Sequence, residues 1–132
     1  CAALKTIEII EKKKVWKHLD KIGRQIKHGW IKIFKKYDLD IEVSNFLPLV
    51  TMKLNYGKKN NLILTYFIQE MLKKNYLVSS SVYISYSHTK RLVTRYLSES
   101  DKVFKIISTL IKEKKIENQI STKIRSDAFK RL

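Results

Sequence analysis

A chain of 132 residues is long enough for one packed domain and short for two. Apolar residues make up 44% and aromatics 11%, which supplies a core and excludes intrinsic disorder; Lys and Arg total 28 against 12 Asp and Glu, a formal charge of +16. A single cysteine excludes an internal disulfide framework and a four-cysteine zinc site, and three Gly with one Pro exclude a linker.

The positive charge invites a nucleic-acid reading, because Lys and Arg that neutralise phosphates drive sequence-independent binding. Of the 28 cations, however, 23 are Lys and 5 are Arg, spread from Lys5 to Lys130. Base-edge recognition leans on Arg. A solvated lysine surface is the favoured reading, with a basic nucleic-acid-binding module as the alternative. The longest apolar run, 62–68, falls well short of the roughly 20 residues a membrane-spanning helix needs, so no membrane partner is expected. The chain opens Cys1-Ala2-Ala3-Leu4 without Met, a charged leader or a signal-peptide core, and a helical pattern begins at once; a piece of a longer protein is the expectation.

Leu4, Ile7 and Ile10 are spaced like one helix face and are followed by the charged step Glu11-Lys12-Lys13-Lys14. Val15, Leu19, Ile22, Ile26, Trp30, Ile33 and Tyr37 then recur every three or four positions, which predicts an amphipathic helix of about 22 residues. Gly23 and Gly29 inside it each cost about 1 kcal/mol relative to Ala and point to close approach of another element. After Asp38-Leu39-Asp40, alternation at Ile41 and Val43 predicts a strand; Phe46-Leu47-Pro48 interrupts it, and 49–54 forms a second strand. A turn-rich loop over 55–61 leads to a helix over 62–74, with Asn61 as its N-cap, and its apolar circumference predicts a deep position. A strand over 82–86 follows, then a long helix capped by Thr89 with apolar positions Leu92, Val93, Tyr96, Val103, Phe104, Ile107, Leu110 and Ile111. Beyond Lys115 the periodicity fades, and 116–132 reads as a partly ordered tail. The order α-β-β-α-β-α predicts an α+β fold, a small antiparallel sheet of about three strands with helices on one face.

No catalytic constellation assembles. The chain contains no Gly-rich phosphate loop, no nucleophile elbow and neither of the common Cys or His metal motifs. His18 and His28 are too far apart on one helix to share a metal and read as surface histidines. Glu70 is the carboxylate placed to feel desolvation, or else a surface carboxylate beside Lys73 and Lys74. His88 lies between a strand end and a helix start, either facing a cleft or bonded to its own turn. Tyr83 and Tyr86 flank Ile84 and are expected on one strand face, packed in the core with hydroxyls at the rim rather than stacking bases.

Several segments resemble a known family. Phe67-Ile68-Gln69-Glu70-Met71-Leu72-Lys73-Lys74, followed after a short loop by Ile84-Ser85-Tyr86-Ser87-His88-Thr89, is similar to class-III pyridoxal-phosphate aminotransferases, in the glutamate-1-semialdehyde aminotransferase (aminomutase)-like branch. Ala2-Ala3-Leu4-Lys5-Thr6-Ile7-Glu8, Val15-Trp16-Lys17-His18-Leu19 with Gly23, and Phe129-Lys130-Arg131-Leu132 resemble the branch in the same order, so the likeness spans nearly the whole chain. After Thr89 the family pattern carries acidic residues, whereas Lys90, Arg91 and Leu92 stand here. The resemblance implies that 1–115 is the small C-terminal domain of a fold-type-I enzyme of the cytoplasm, followed by the 116–132 tail. Pyridoxal phosphate, its Schiff-base lysine and its phosphate cup would then belong to the large domain of the same parent chain, itself a homodimer. On this resemblance the chain has no catalytic lysine and binds no cofactor or metal alone. Phe46, Ser85, Tyr86 and His88 are implied to face the substrate cleft. Whether the parent is an aminotransferase or an aminomutase, and which amino donor it takes, stays open.

Overall fold

The computed structural model describes residues 2–120 and Ile124; the family-like segment at 129–132 lies outside them. Helix α1 (Ala2–Lys12) and helix α2 (Val15–Lys36) are separated by Lys14, which takes a left-handed conformation (φ 47°) and breaks the helical path. Strands β1 (Ile41–Val43) and β2 (Leu49–Leu54) follow, then a short 3₁₀ turn (Gly57–Lys59) and helix α3 (Asn60–Leu72). Strand β3 (Ser81–Tyr83), helix α4 (Lys90–Lys112) and a 3₁₀ turn at Ile116–Gln119 complete the described chain. The α+β class and the three-stranded antiparallel sheet are as the sequence predicts, with strand order β1-β2-β3.

The register explains which sheet face is buried. Ile41 pairs with Leu54, Val43 with Met52, and Val50 with Val82, all on one side. Glu42 opposite Lys53, Thr51 opposite Ser81, and Leu49 opposite Tyr83 occupy the other side. The apolar side packs on α2, whose stripe buries Ile22, Ile26, Trp30, Ile33 and Phe34. Helix α4 packs along α2 and also against α3. As its composition predicts, α3 lies deep, with Leu62, Ile63, Leu64, Tyr66, Phe67 and Met71 all buried.

Gly23 and Gly29 mark two close approaches. A Cβ on Gly23 would overlap the Leu47 carbonyl oxygen and stand 2.9 Å from the Leu47 carbonyl carbon; a Cβ on Gly29 would meet the tip of the Leu97 side chain, 2.6 Å from Cδ2. The first neighbour is backbone and the second a side-chain end.

Helices α2, α3 and α4 end alike. Asp38, Asn75 and Lys114 adopt positive φ, and the next residue's N–H reaches back to close the last turn: Leu39 to the Phe34 carbonyl, Tyr76 to Met71, and Lys115 to Leu110. This satisfies carbonyls the helix leaves open, without a glycine. The last closure turns the chain so that Ile116 enters the core, and Gln69 Nε2 donates to the Gln119 carbonyl at 3.2 Å. Packing therefore continues past Lys115, where the apolar periodicity ends.

Four local expectations are corrected. Asn61 is not the cap of α3: the helix begins one residue earlier without a side-chain cap, and Asn60 Oδ1 instead accepts from the Tyr56 N–H at 2.8 Å. Strand β3 stops at Tyr83 rather than running to 86, because Ile84 N–H already spends itself on the Pro48 carbonyl, and Pro48 has no N–H to continue the ladder. Tyr83 and Tyr86 share no strand face, because residues three apart point to opposite sides of a strand and Tyr86 lies beyond β3, and both rings are exposed rather than in the core. Leu92 is also half-exposed on α4, while Ser100 and Ser108 take buried positions. Thr89 does cap α4, its Oγ1 accepting from Leu92 N–H at 3.2 Å.

Candidate functional site

Two stretches separated by nearly forty residues meet on the N-terminal half of α2. The first is the 46–48 bend, seated on the bare backbone of Gly23. The second is the 85–88 turn, closed by His88 N–H to the Ser85 carbonyl at 3.1 Å. They are joined by the bond from Ile84 N–H to the Pro48 carbonyl at 3.0 Å.

The histidines hold this arrangement. His88 Nδ1 accepts from Ser85 N–H at 2.9 Å, with Ser85 Oγ at 3.2 Å, which places the imidazole proton on Nε2. The His88 carbonyl accepts from His18 Nε2 at 2.8 Å, tying the turn to α2. The His18 ring lies 4.9 Å from the Tyr86 ring, and Lys13 Nζ stands 5.5 Å from the Tyr86 centroid, within cation–π range. Of the residues the sequence singled out, Ser85, Tyr86 and His88 thus sit on one turn, and Phe46 projects from the adjoining bend with its ring exposed. His88 is bonded within its own turn and also borders the cavity beside it. His18 was missed: nothing in its spacing distinguishes it from His28, which is exposed on the same helix.

Beside the turn lies a cavity of about 530 Å³, bordered by His88 and walled by Tyr76, Val82, Val93 and Tyr96. Phe46, Ser85 and Tyr86 lie outside its lining. That lining contains neither an amine nor a carboxylate, and every lysine among the described residues is exposed or half-exposed. An imine-forming amine and a partner for a pyridine nitrogen are both missing from it, so these residues do not fit pyridoxal phosphate. No group of three or more metal-ligating side chains comes together among the described residues.

Behind the cavity, the Tyr96 hydroxyl, the Ser100 hydroxyl and the Trp30 indole N–H are enclosed, and none lines up with a partner in hydrogen-bonding geometry. Burial pushes Tyr96 up to about 12, partly opposed by the neighbouring Ser100 and Trp30 groups. A phenol whose folded value exceeds its unfolded value of about 10 leaves stability intact below pH 10 and withdraws it as pH rises toward 12. Tyr96→Phe is therefore expected to remove roughly 2–3 kcal/mol of alkaline destabilisation over that window, read as a flatter urea-midpoint profile. An unchanged profile in the variant would assign the loss to other groups. Glu70 shows the opposite balance: burial raises its carboxyl, but hydrogen bonds from Lys73 (2.6 Å) and Gln69, with the charges of Lys73 and Lys74, outweigh it and hold it low. It is a half-buried, ion-paired carboxylate remote from the turn.

No helix of the described residues is long and apolar enough to cross a membrane. Comparison with known protein families and with curated proteins finds no match.

Proposed function

We propose that the chain is the small C-terminal domain of a class-III pyridoxal-phosphate enzyme of the glutamate-1-semialdehyde aminotransferase-like branch, aminotransferase or aminomutase, that works in the cytoplasm as a homodimer. The observation that carries this reading is the convergence of the 46–48 bend and the 85–88 turn over Gly23 and His18, with Phe46 and Tyr86 left exposed. Those are the segments that the sequence resemblance turns toward a substrate cleft. Helix α1 adds to it: none of its residues is buried, and Leu4, Ile7, Ile9 and Ile10 stay in solvent, a surface suited to packing on a large domain.

On this reading the cofactor supplies the electron sink of the reaction from the large domain. The residues here do two things. Tyr86, its ring tilted against that of His18, gives the lid an aromatic face that excludes water. His88, its tautomer fixed by Ser85, holds that turn in register with α2.

The test uses the parent enzyme. Borohydride reduction followed by peptide mapping is expected to find the pyridoxyl adduct on a lysine outside these 132 residues. Tyr86→Ala is expected to raise KM for the amino substrate by about tenfold with the cofactor absorbance unchanged. A stoichiometric adduct on a lysine of this chain, or no cofactor on the parent at all, would sink the proposal.

A further inference from the structure

Four of the 28 Lys and Arg residues meet in one groove. Lys17, Lys21, Arg24 and His28 recur at helical spacing on α2, and they line an open groove of about 510 Å³ together with Lys90 from the start of α4 and a single carboxylate, Asp20. Arg24 and Asp20 are only loosely paired, at 3.8 Å. Gln25 forms the floor: its Nε2 donates to the Lys90 carbonyl at 3.2 Å and to Thr94 Oγ1 at 3.0 Å, tying the two walls together.

This arrangement works against the fold. Like charges at i, i+3 and i, i+4 repel one another. Neither α2 nor α4 has an acid in its first turn, where the positive helix end would favour one. A bound polyanion would reverse both penalties. A second observation indicates which polyanion. Trp16 lies one helical turn before Asp20 on the same row of α2 and is 49% exposed, an indole held in solvent at one end of the cationic row. The row from Lys17 to His28 spans about 16 Å. Cations that follow a backbone beside an open aromatic face are the equipment for single-stranded nucleic acid, where phosphates are neutralised and a base stacks. The scarcity of Arg fits phosphate contacts without base-edge readout.

We propose that the α2–α4 groove binds single-stranded nucleic acid without sequence preference, with Lys17, Lys21, Arg24 and Lys90 on phosphates and Trp16 stacking on a base. Trp16, Tyr83 and Tyr86 all lie outside the groove lining itself; of the three, only Trp16 is on α2, in line with the cationic row. The site is independent of the enzymatic reading, and its test needs no cofactor.

The full chain is titrated with a labelled oligothymidylate of about 12 nucleotides across a salt series, by anisotropy and by intrinsic fluorescence. Only two tryptophans are present, and Trp30 is 0% exposed, so quenching reports Trp16. The expected result is micromolar binding near 0.15 M salt, with log K falling against log salt at a slope of about −3. Lys21→Glu with Arg24→Glu is expected to weaken binding by at least tenfold. Trp16→Ala is expected to weaken it about tenfold with the salt slope kept. Lys105→Glu with Lys112→Glu, the same change in net charge more than 20 Å along α4 from Lys90, should leave it within about twofold. Circular dichroism checks that each variant is folded. An equal loss in the remote pair would assign binding to diffuse charge and overturn the proposal. So would unchanged affinity in Trp16→Ala, a duplex bound as tightly as the single strand, or no binding near 0.15 M salt.

Discussion

Gly23→Ala is expected to lower stability by about 2 kcal/mol, while Gly29→Ala stays within about 1 kcal/mol of the parent sequence. Both exchanges gain about 1 kcal/mol of helix propensity, so any difference comes from what each new methyl meets. At Gly29 it meets the end of the Leu97 side chain, which can rotate aside. At Gly23 it meets the Leu47 carbonyl, fixed by the following Pro48 and by the bond from Ile84 to the Pro48 carbonyl. Relief there means lifting the 46–48 bend off α2. For a domain of this size the loss corresponds to a fall in Tm of roughly 6–10 °C, measured by thermal denaturation. The same displacement would carry Phe46 away from the 85–88 turn, so a neutral Gly23→Ala would remove the structural basis for treating the two segments as one surface.

Elements written as sustained periodicity were legible. Helices α2 and α4 and strand β2 lie where spacing alone predicts, because their apolar residues recur over many turns or alternations and one core collects them. What failed was decided by partners distant in sequence. Strand β3 ends where Pro48, in the bend just before β2, offers no donor. The breaks after α1 and α4 were placed by the loss of apolar periodicity, but not the left-handed residues that make them, because Lys14 and Lys114 carry no turn signature, whereas Asp38 and Asn75 are residue types that tolerate it. At the candidate site, position between strand and helix singled out His88, while Ser85 and Tyr86 were named as cleft residues through the family resemblance alone. The contribution of His18 was not, because its partner is a backbone carbonyl seventy residues away. The basic groove escaped for the same reason: Lys90 meets Lys17, Lys21 and Arg24 only once α4 lies on α2.

Phe104→Ala is expected to cost about 3–5 kcal/mol, a large share of the roughly 5–15 kcal/mol that holds an ordinary domain together. The ring is buried where three helices meet: edge-on to Phe34 of α2 at 4.9 Å between centroids, and stacked on Phe67 of α3 at 4.7 Å. Truncation removes its own burial and leaves a cavity lined by two rings, neither of which can close it while held by its own helix. Phe104→Leu, which keeps most of the volume, should cost less than about 1.5 kcal/mol. A double-mutant cycle of Phe67→Ala with Phe104→Ala should show a coupling of about 0.5–1.5 kcal/mol, the part that belongs to ring geometry rather than area. Phe46→Ala is the counterpart. In sequence it is as aromatic as Phe104, yet its ring is 64% exposed, and its loss should change the urea midpoint by no more than about 0.5 kcal/mol equivalent. That contrast separates residues that hold the domain from those left free to meet something else: if Phe46→Ala proves as damaging as Phe104→Ala, the bend belongs to the core and cannot face a cleft.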